Sequence, residues 1–515
     1  MTTQIRSYLS GEWGASSTTG ATLLNPTTEE VVAHAPTENG DLKKAVAFTR
    51  KVGGPALREL NFAQRGELLM NASKVIHEAR EELIHLATLN GGNTRSDAKF
   101  DIDGAMGTLA YYANRGRKLG EGHSLEETPA FPLTKNPRWS GRQMRVPKHG
   151  AAIHINAFNF PAWGMGEKLA AAILAGMPVL TKPGTSTALL AYRIAELWIE
   201  KEVFPRGAFS FLAGSAGDLL DHLNWHDAIA FTGSSDTGKL LRSHPSVIQW
   251  NIPLNVEADS LNAMVVGADV DTDSDLFDLI IRETTKEVTQ KAGQKCTAIR
   301  RIFVPESMLN TYLEALGGAF SEISVGDPSQ KGVKMGPLNT AQQLEDVQEG
   351  LVRLAGAASV KVGGQRGKLQ GVDNDKGFFI EPTLLVAKQP TAGVLHDREI
   401  FGPAATLIPY DGTPDQAATL VGLGGGGLVS SVISDDNKFL TQAATALAPL
   451  HGRLYTASSK VVEQVLGSGM VLPTLNHGGP GRAGGGTELG GSHGCDLYTQ
   501  RVAIQGFTPW LEKLS

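Results

Sequence analysis

Between residues 149 and 241 the chain switches pattern every few residues, and that rhythm constrains the fold more than any other feature. Residues 151–155 read as a buried strand, 162–175 as a helix, and 178–180 as a strand that ends at Lys182-Pro183. A helix over 186–201 comes next, and 209–212, 216–223, 228–231 and 236–241 continue the alternation. Repeated strand–helix–strand units bury both faces of their strands as a parallel sheet with helical crossovers. A second alternating block opens near 262–266, with helices predicted over 275–290, 306–322 and 340–356. The reading is α/β.

The flanking regions differ in character. Residues 1–36 read as short strands and turns, and 41–120 as mostly helical, with Leu68, Leu69, Val75, Ile76, Leu83, Leu86 and Ala87 near helical spacing. Residues 125–148 are polar and contain prolines, which suggests a loop and an arm-like strand. Gly-rich 422–427 and 477–491 read as loops, and the alternating tail 497–507 has the pattern of a strand that pairs with another, a neighbouring subunit's included.

At 515 residues the chain is too long for one small core, so two or more domains are expected. A net charge of −6 with no basic stripe argues against nucleic-acid binding. Two cysteines cannot build a disulfide framework, which suits a reducing compartment. The N-terminus lacks the apolar core of a signal peptide, and the longest apolar stretch, 169–180, is interrupted by Gly176 and Pro178. The expectation is a cytoplasmic protein with no membrane segment.

Chemistry points to Cys296, in Lys-Ala-Gly-Gln-Lys-Cys-Thr-Ala-Ile-Arg. It has no sequence-local partner for a disulfide or a metal, so no metal is expected. A lone thiol is ordinarily a small buried hydrophobe; here small and polar neighbours, with Lys291 and Lys295 flanking, suit a nucleophile in a pocket instead. Glu257 is either a solvated strand-end carboxylate or a base that activates water, with Asp259 as competitor. Asn159 either caps the turn at Pro161 or offers its amide to an oxyanion. Phe231-Thr232-Gly233-Ser234-Ser235-Asp236-Thr237-Gly238 reads as strand, turn and helix start, a place for a pyrophosphate, although its Gly-x-x-x-x-Gly spacing is also that of a plain loop. Lys182 ends a strand where a ligand crevice would lie, or is simply solvated. Cys495 is read as structurally neutral.

Taken together, these segments resemble the aldehyde dehydrogenases. Phe158-Asn159-Phe160-Pro161 is similar to that family's Asn-Phe-Pro, Phe231–Gly238 to its Phe-Thr-Gly-Ser cofactor turn, and Glu257 to the glutamate of its Glu-Leu-Gly-Gly. Gly293-Gln294-Lys295-Cys296 resembles Gly-Gln-x-Cys, and Glu399-Ile400-Phe401-Gly402-Pro403 resembles Glu-x-Phe-Gly-Pro. Two departures stand out. Ala258-Asp259-Ser260 replaces Leu-Gly-Gly, and His477 stands where an aromatic residue usually precedes two glycines. The segments around Asn159, Glu257 and Cys296, together with 477–486, resemble a branch that oxidises CoA-thioester semialdehydes in bacterial aromatic catabolism, of phenylacetate or benzoate. In one member a hydratase domain follows; the chain stops at Ser515, so that second activity is expected to be absent.

The resemblance implies a Rossmann-type cofactor domain (1–124 and 149–256), an α/β catalytic domain (257–475) and a small β oligomerisation arm and tail (125–148 and 476–515), assembled as a homodimer or homotetramer. It implies Cys296 as nucleophile, Glu257 as deacylating base and Asn159 as oxyanion donor. The cofactor would meet Phe158, Lys182, Thr185, Gly233, Ser234, Gly238, Glu399 and Phe401, with His477 a candidate pocket wall or water-positioning group. NAD-preferring relatives often carry glutamate where this chain has Thr185; without that carboxylate a 2′-phosphate is not repelled, so NADP is expected and NAD is the alternative. The substrate is expected to be a small-molecule aldehyde, CoA-linked by the branch resemblance. The alternatives are a free aliphatic or aromatic aldehyde, a CoA-acylating reaction (which Glu257 argues against), and a catalytically silent binding protein.

Overall fold

The computed structural model describes residues 2–15, 20–37, 40–373 and 375–514. The expected alternation produces two seven-stranded sheets. In the first, five parallel strands run in the spatial order Leu254–Glu257, Ala228–Thr232, Ala152–Ile155, Val179–Lys182, Phe209–Phe211. The antiparallel hairpin Tyr8–Leu9 and Glu12–Trp13 extends its edge, turning at Ser10 (φ 56) and Gly11 (φ 79), the positive-φ pair a tight hairpin needs. Chain order reverses on either side of Ala152–Ile155. Such a switch point opens a crevice at the carboxyl ends of the strands.

The second sheet runs Ala358–Val362, Thr383–Ala387, Ala404–Tyr410, Arg301–Pro305, Ala263–Val266, Gly427–Ile433 and His451–Ala457, parallel except at the first pair. Helices Asp275–Thr289, Leu309–Ser321 and Ala341–Leu354 stand close to where the periodicity predicts them. Region 216–223 holds a single 3-10 turn, Leu219–His222; the left-handed glycines Gly214 (φ 71) and Gly217 (φ 50) leave no room for a helix.

One face of the first sheet is covered by Phe62–Glu78, Arg95–Leu119 and Trp163–Ala175. The first two approach closely because of paired glycines. A Cβ on Gly66 would lie 2.7 Å from Ala113 O, and one on Gly116 2.5 Å from Phe62 O. Asp101, on the long helix, accepts from Trp163 N at 2.7 Å and so caps the helix that enters the site.

The tail strand Thr499–Phe507 pairs along its full length with Trp139–Pro147 of the same chain, from Thr499↔Pro147 to Phe507↔Trp139, and stands at the edge of the arm sheet. Leu125–Glu126 and Phe131–Pro132 complete this arm sheet. Residues 477–491, expected with the tail, instead fold into the cleft between the sheets, where Ala258 N donates to Ala483 O at 3.0 Å. That bond, with Thr487 N donating to Asn255 Oδ1 at 2.7 Å, ties the loop to the strand carrying Glu257 and the residue after it. No helix among the described residues is long and apolar enough to cross a membrane.

Candidate active site

The loop bearing Cys296 leaves its helix through a left-handed turn: Lys291 (φ 54, ψ 35), Ala292 (φ 52, ψ 38) and Gly293 (φ 70). Only glycine adopts this freely; at the other two positions it costs on the order of 1–2 kcal/mol each. A Cβ on Gly293 would meet Gly402 O at 2.2 Å. Arg300 holds the strained turn in place. Its guanidinium donates to Gly293 O (2.9 Å), Lys295 O (3.1 Å), Gly402 O (2.8 Å) and Glu399 Oε1 (3.1 Å). From the other side Asn262 Nδ2 donates to Cys296 O at 2.7 Å and to Ala298 O at 2.8 Å. Among the described residues nothing accepts from the Cys296 N–H.

Cys296 opens onto a narrow cavity of about 40 Å³, room for roughly three waters. Glu257, Asn159 and His477 line it, with Phe100, Phe160 and Trp163 as apolar wall. Asn159 Nδ2 donates to Gln294 O at 3.0 Å, which fixes the amide in the cavity that Cys296 lines and leaves its second hydrogen free. Cys296 Sγ, a Glu257 carboxylate oxygen and a His477 ring nitrogen lie within 4.8 Å of one another.

His477 is thus a buried cavity group rather than a surface histidine. Its Nε2 lies 2.9 Å from Glu257 Oε2, an ion-pair contact that leaves this oxygen without a well-aligned hydrogen bond. Burial pushes Glu257 up, but the charge and contact of His477, with Lys168 and Glu488, outweigh it and bring the carboxyl down to about 2. Burial pulls His477 down and Glu257 more than reverses that, so its pKa is raised. The Cys296 thiol is held well above its ordinary value by burial and then by Glu257, Glu167 and Glu399. The flanking lysines do not relieve it. Lys295 Nζ is bound to Glu287 Oε2 and Gln290 Oε1, each at 2.8 Å, and Lys291 Nζ sits 4.6 Å from the Phe160 ring centre.

Behind Glu257 lies a buried charge network that the sequence reading missed. Lys168 Nζ is 3.3 Å from Glu488 Oε1 and 3.6 Å from Glu167 Oε1. Thr232 Oγ1 donates to Glu488 Oε1 at 3.0 Å. Burial pushes Glu488 up from the ordinary carboxylate value, Lys168 opposes this, and Glu257 and Glu167 reinforce it. The signal available in sequence was a Glu-Lys pair inside the otherwise apolar helix Trp163–Ala175. Asp259, the competing base, accepts from Ser235 N at 3.1 Å and does not line the cavity.

The other predicted residues gather at the switch point. Ser234 caps helix Ser235–Arg242, its Oγ accepting from Thr237 N at 3.2 Å; Gly233 precedes it, and Gly238 packs on Val256. Lys182 ends its strand, donates to Pro183 O at 3.1 Å and has its pKa lowered by burial. Thr185 opens the 3-10 turn Thr185–Thr187 directly after it. Phe158 and Phe401 stand edge to face with centroids 5.9 Å apart. Glu399 is engaged by Arg300 and by Ser260 N at 3.0 Å, and burial raises its carboxyl to about 7. An ammonium and a helix N-terminus at the carboxyl ends of parallel strands suit the anionic groups of a dinucleotide. Cys495 is buried, its thiol pushed up to about 12, and remote from the cavity lining.

Comparison with known proteins agrees with this geometry. Residues 13–504 match the model of the aldehyde dehydrogenase family. The chain is 39% identical over 480 residues to a 3,4-dehydroadipyl-CoA semialdehyde dehydrogenase of Aromatoleum evansii, covering 93% of each chain. It is 28% identical over 496 residues to a geranial dehydrogenase of Castellaniella defragrans, covering 94% of this chain and 95% of that one. The fold is similar to that of the Staphylococcus aureus betaine aldehyde dehydrogenase solved with NAD+ (TM-score 0.85, 24% identity, 98% and 95% coverage). The chain belongs to the aldehyde dehydrogenase family, oxidoreductases that act on aldehydes.

Proposed function

We propose that the chain oxidises a CoA-linked semialdehyde to its carboxylic acid with NADP as acceptor. The observation that carries the reading is the meeting of Cys296, Glu257 and Asn159 in one cavity, beside the Phe158–Phe401 pair and the switch-point groove. Bound there, the nicotinamide would supply the hydride acceptor. The Cys296 thiol gives its proton to solvent, its sulfur attacks the aldehyde carbon, and the oxyanion that forms is held by the Cys296 N–H and the second hydrogen of Asn159 Nδ2. Loss of hydride leaves an acyl group on Cys296. Glu257 then takes a proton from water, which attacks the thioester and releases the acid.

The A. evansii relative, named for a CoA-linked semialdehyde, supports the substrate class. So does the cavity: about 40 Å³ with aromatic walls admits the aldehyde end of a substrate and leaves a large carrier outside. Pathway membership in aromatic catabolism rests on the resemblance of the segments around Asn159, Glu257, Cys296 and His477. Nicotinamide use is supported by the groove, and the NAD+ in the S. aureus structure belongs to that protein. Thr185 in place of an acid supports NADP. Exposed Trp139, Phe507 and Trp510 on the arm support association as a homodimer or homotetramer, readable by light scattering. Two free cysteines suit a reducing cytoplasm.

The deciding experiment measures NADPH and NADH formation across free aldehydes and CoA-linked semialdehydes, with the product identified. Faster turnover of short free aldehydes overturns the substrate class. A clear advantage with NAD overturns the cofactor, and a CoA thioester product overturns hydrolytic release.

A further inference from the structure

Beside Cys296 and Glu257 the cavity holds a third metal-binding donor, His477, that the proposed oxidation does not use. Thiol, imidazole and carboxylate converge from three separate parts of the chain: Cys296 from its left-handed loop, Glu257 from the end of strand Leu254–Glu257, and His477 from the glycine-rich loop drawn between the sheets. We infer that Cys296 Sγ, His477 Nε2 and a Glu257 carboxylate oxygen form a three-ligand site for Zn²⁺ that reversibly blocks the nucleophile.

The chemistry of the set selects the metal. A thiolate, an imidazole and one carboxylate suit borderline-soft Zn²⁺ and disfavour Mg²⁺ or Ca²⁺, which want oxygen ligands. Tetrahedral zinc, with bonds of about 2.0–2.3 Å, spaces neighbouring donors roughly 3.3–3.6 Å apart. Here His477 Nε2 and Glu257 Oε2 are 2.9 Å apart, and all three donors lie within 4.8 Å of one another. Side-chain shifts of about an ångström therefore bring them to the required spacing. The fourth position faces the cavity and takes a water, the arrangement of zinc sites with three protein ligands.

Two further observations favour a cation here. Glu257 Oε2 is buried without a well-formed hydrogen bond, so an acceptor is available at the centre of the set. The nearest ammonium, Lys168, already lies against Glu488 and Glu167, so its charge is largely matched. On binding, the thiol and the His477 imidazolium each release a proton to solvent; the sulfur becomes a metal-bound thiolate and Nε2 a neutral donor, with no change of oxidation state. An aromatic residue at position 477, the usual family choice, would leave only two of the three donors. The site therefore depends on the residue that departs from the family pattern.

The test uses the full-length enzyme without cofactor. Titration calorimetry with Zn²⁺ should show one equivalent bound at sub-micromolar concentration. Bound Zn²⁺ should protect Cys296 from iodoacetamide, read by peptide mapping, and EDTA should restore labelling; Co²⁺ should give a thiolate-to-metal charge-transfer band. Outer-shell partners alone are worth about 10- to 100-fold in metal affinity, so His477→Phe should weaken Zn²⁺ binding at least about 100-fold. Cys296→Ala should abolish the Co²⁺ charge-transfer band. Equal Zn²⁺ affinity in wild type and His477→Phe, absence of protection in the wild type, or equal protection by millimolar Mg²⁺ would each overturn the assignment. Binding and protection are read without turnover, so the result stands apart from the identity of the substrate.

Discussion

Lys168 Nζ lies 3.3 Å from Glu488 Oε1 with both side chains about 1% exposed, so the cavity floor rests on an ion pair removed from water. Removing one partner of such a pair strands the other, at a cost of about 3–5 kcal/mol. Lys168→Met leaves Glu488 and Glu167 without their cation and should destabilise the fold by that order. Adding Glu488→Gln removes one stranded carboxyl and should recover part of the loss. Denaturant unfolding of the two singles and the double gives the coupling. A double variant no more stable than Lys168→Met refutes the pairing.

Glu257 acts on Cys296 in two opposed ways, and Glu257→Gln separates them. Its charge and contact help to hold the thiol up, so their removal lowers the thiol pKa and should speed iodoacetamide labelling of Cys296 at neutral pH. The same change removes the proposed base for deacylation and should slow turnover about 10²–10⁴-fold. Labelling and steady-state NADPH formation, measured on one preparation, check both. If the two rates fall together, the carboxylate's main effect is structural.

Much of this site is legible in the sequence. The alternation of strands and helices is local, so both parallel sheets and the ends carrying Lys182, Gly233 and Glu257 follow from pattern. What pattern cannot report is which distant groups meet. Lys168 and Glu488 are 320 positions apart, and nothing local couples them. Alternation in the tail says that it pairs but not with what; its partner proves to be Trp139–Pro147. The lysines beside Cys296 are adjacent in sequence, yet a left-handed turn sends Lys291 to Phe160, and Lys295 is drawn to Glu287. Sequence adjacency is not spatial adjacency where the backbone reverses hand.

Glu399 sets a pH dependence whose sign follows from its raised carboxyl. Burial, eased by Arg300 and reinforced by Asp259, brings the folded value to about 7 from 4.5. A raised folded pKa contributes stability that is fully present below the unfolded value and lost as pH rises through the folded one. Relative to Glu399→Gln, the wild type should lose stability between pH ~4.5 and ~7, by at most about 3 kcal/mol, and hold level above that. Urea unfolding of both proteins across this window measures the difference; a constant difference contradicts the buried titration.

The proposed cofactor preference rests on Thr185, which opens the 3-10 turn just after Lys182. A carboxylate placed there accepts hydrogen bonds from ribose hydroxyls but repels a 2′-phosphate. Two like charges about 4 Å apart repel by roughly 4 kcal/mol at an effective dielectric of 20, and salt reduces this at a partly open groove. Thr185→Glu should therefore cut kcat/KM with NADP at least about 10-fold while raising or preserving that with NAD. Because Thr185 lies at the adenosine end of the proposed groove, kcat for the better cofactor should be unchanged. Parallel initial-rate measurements with both cofactors decide the matter. If Thr185→Glu keeps its NADP efficiency, the 2′-phosphate lies elsewhere and the basis for choosing NADP fails.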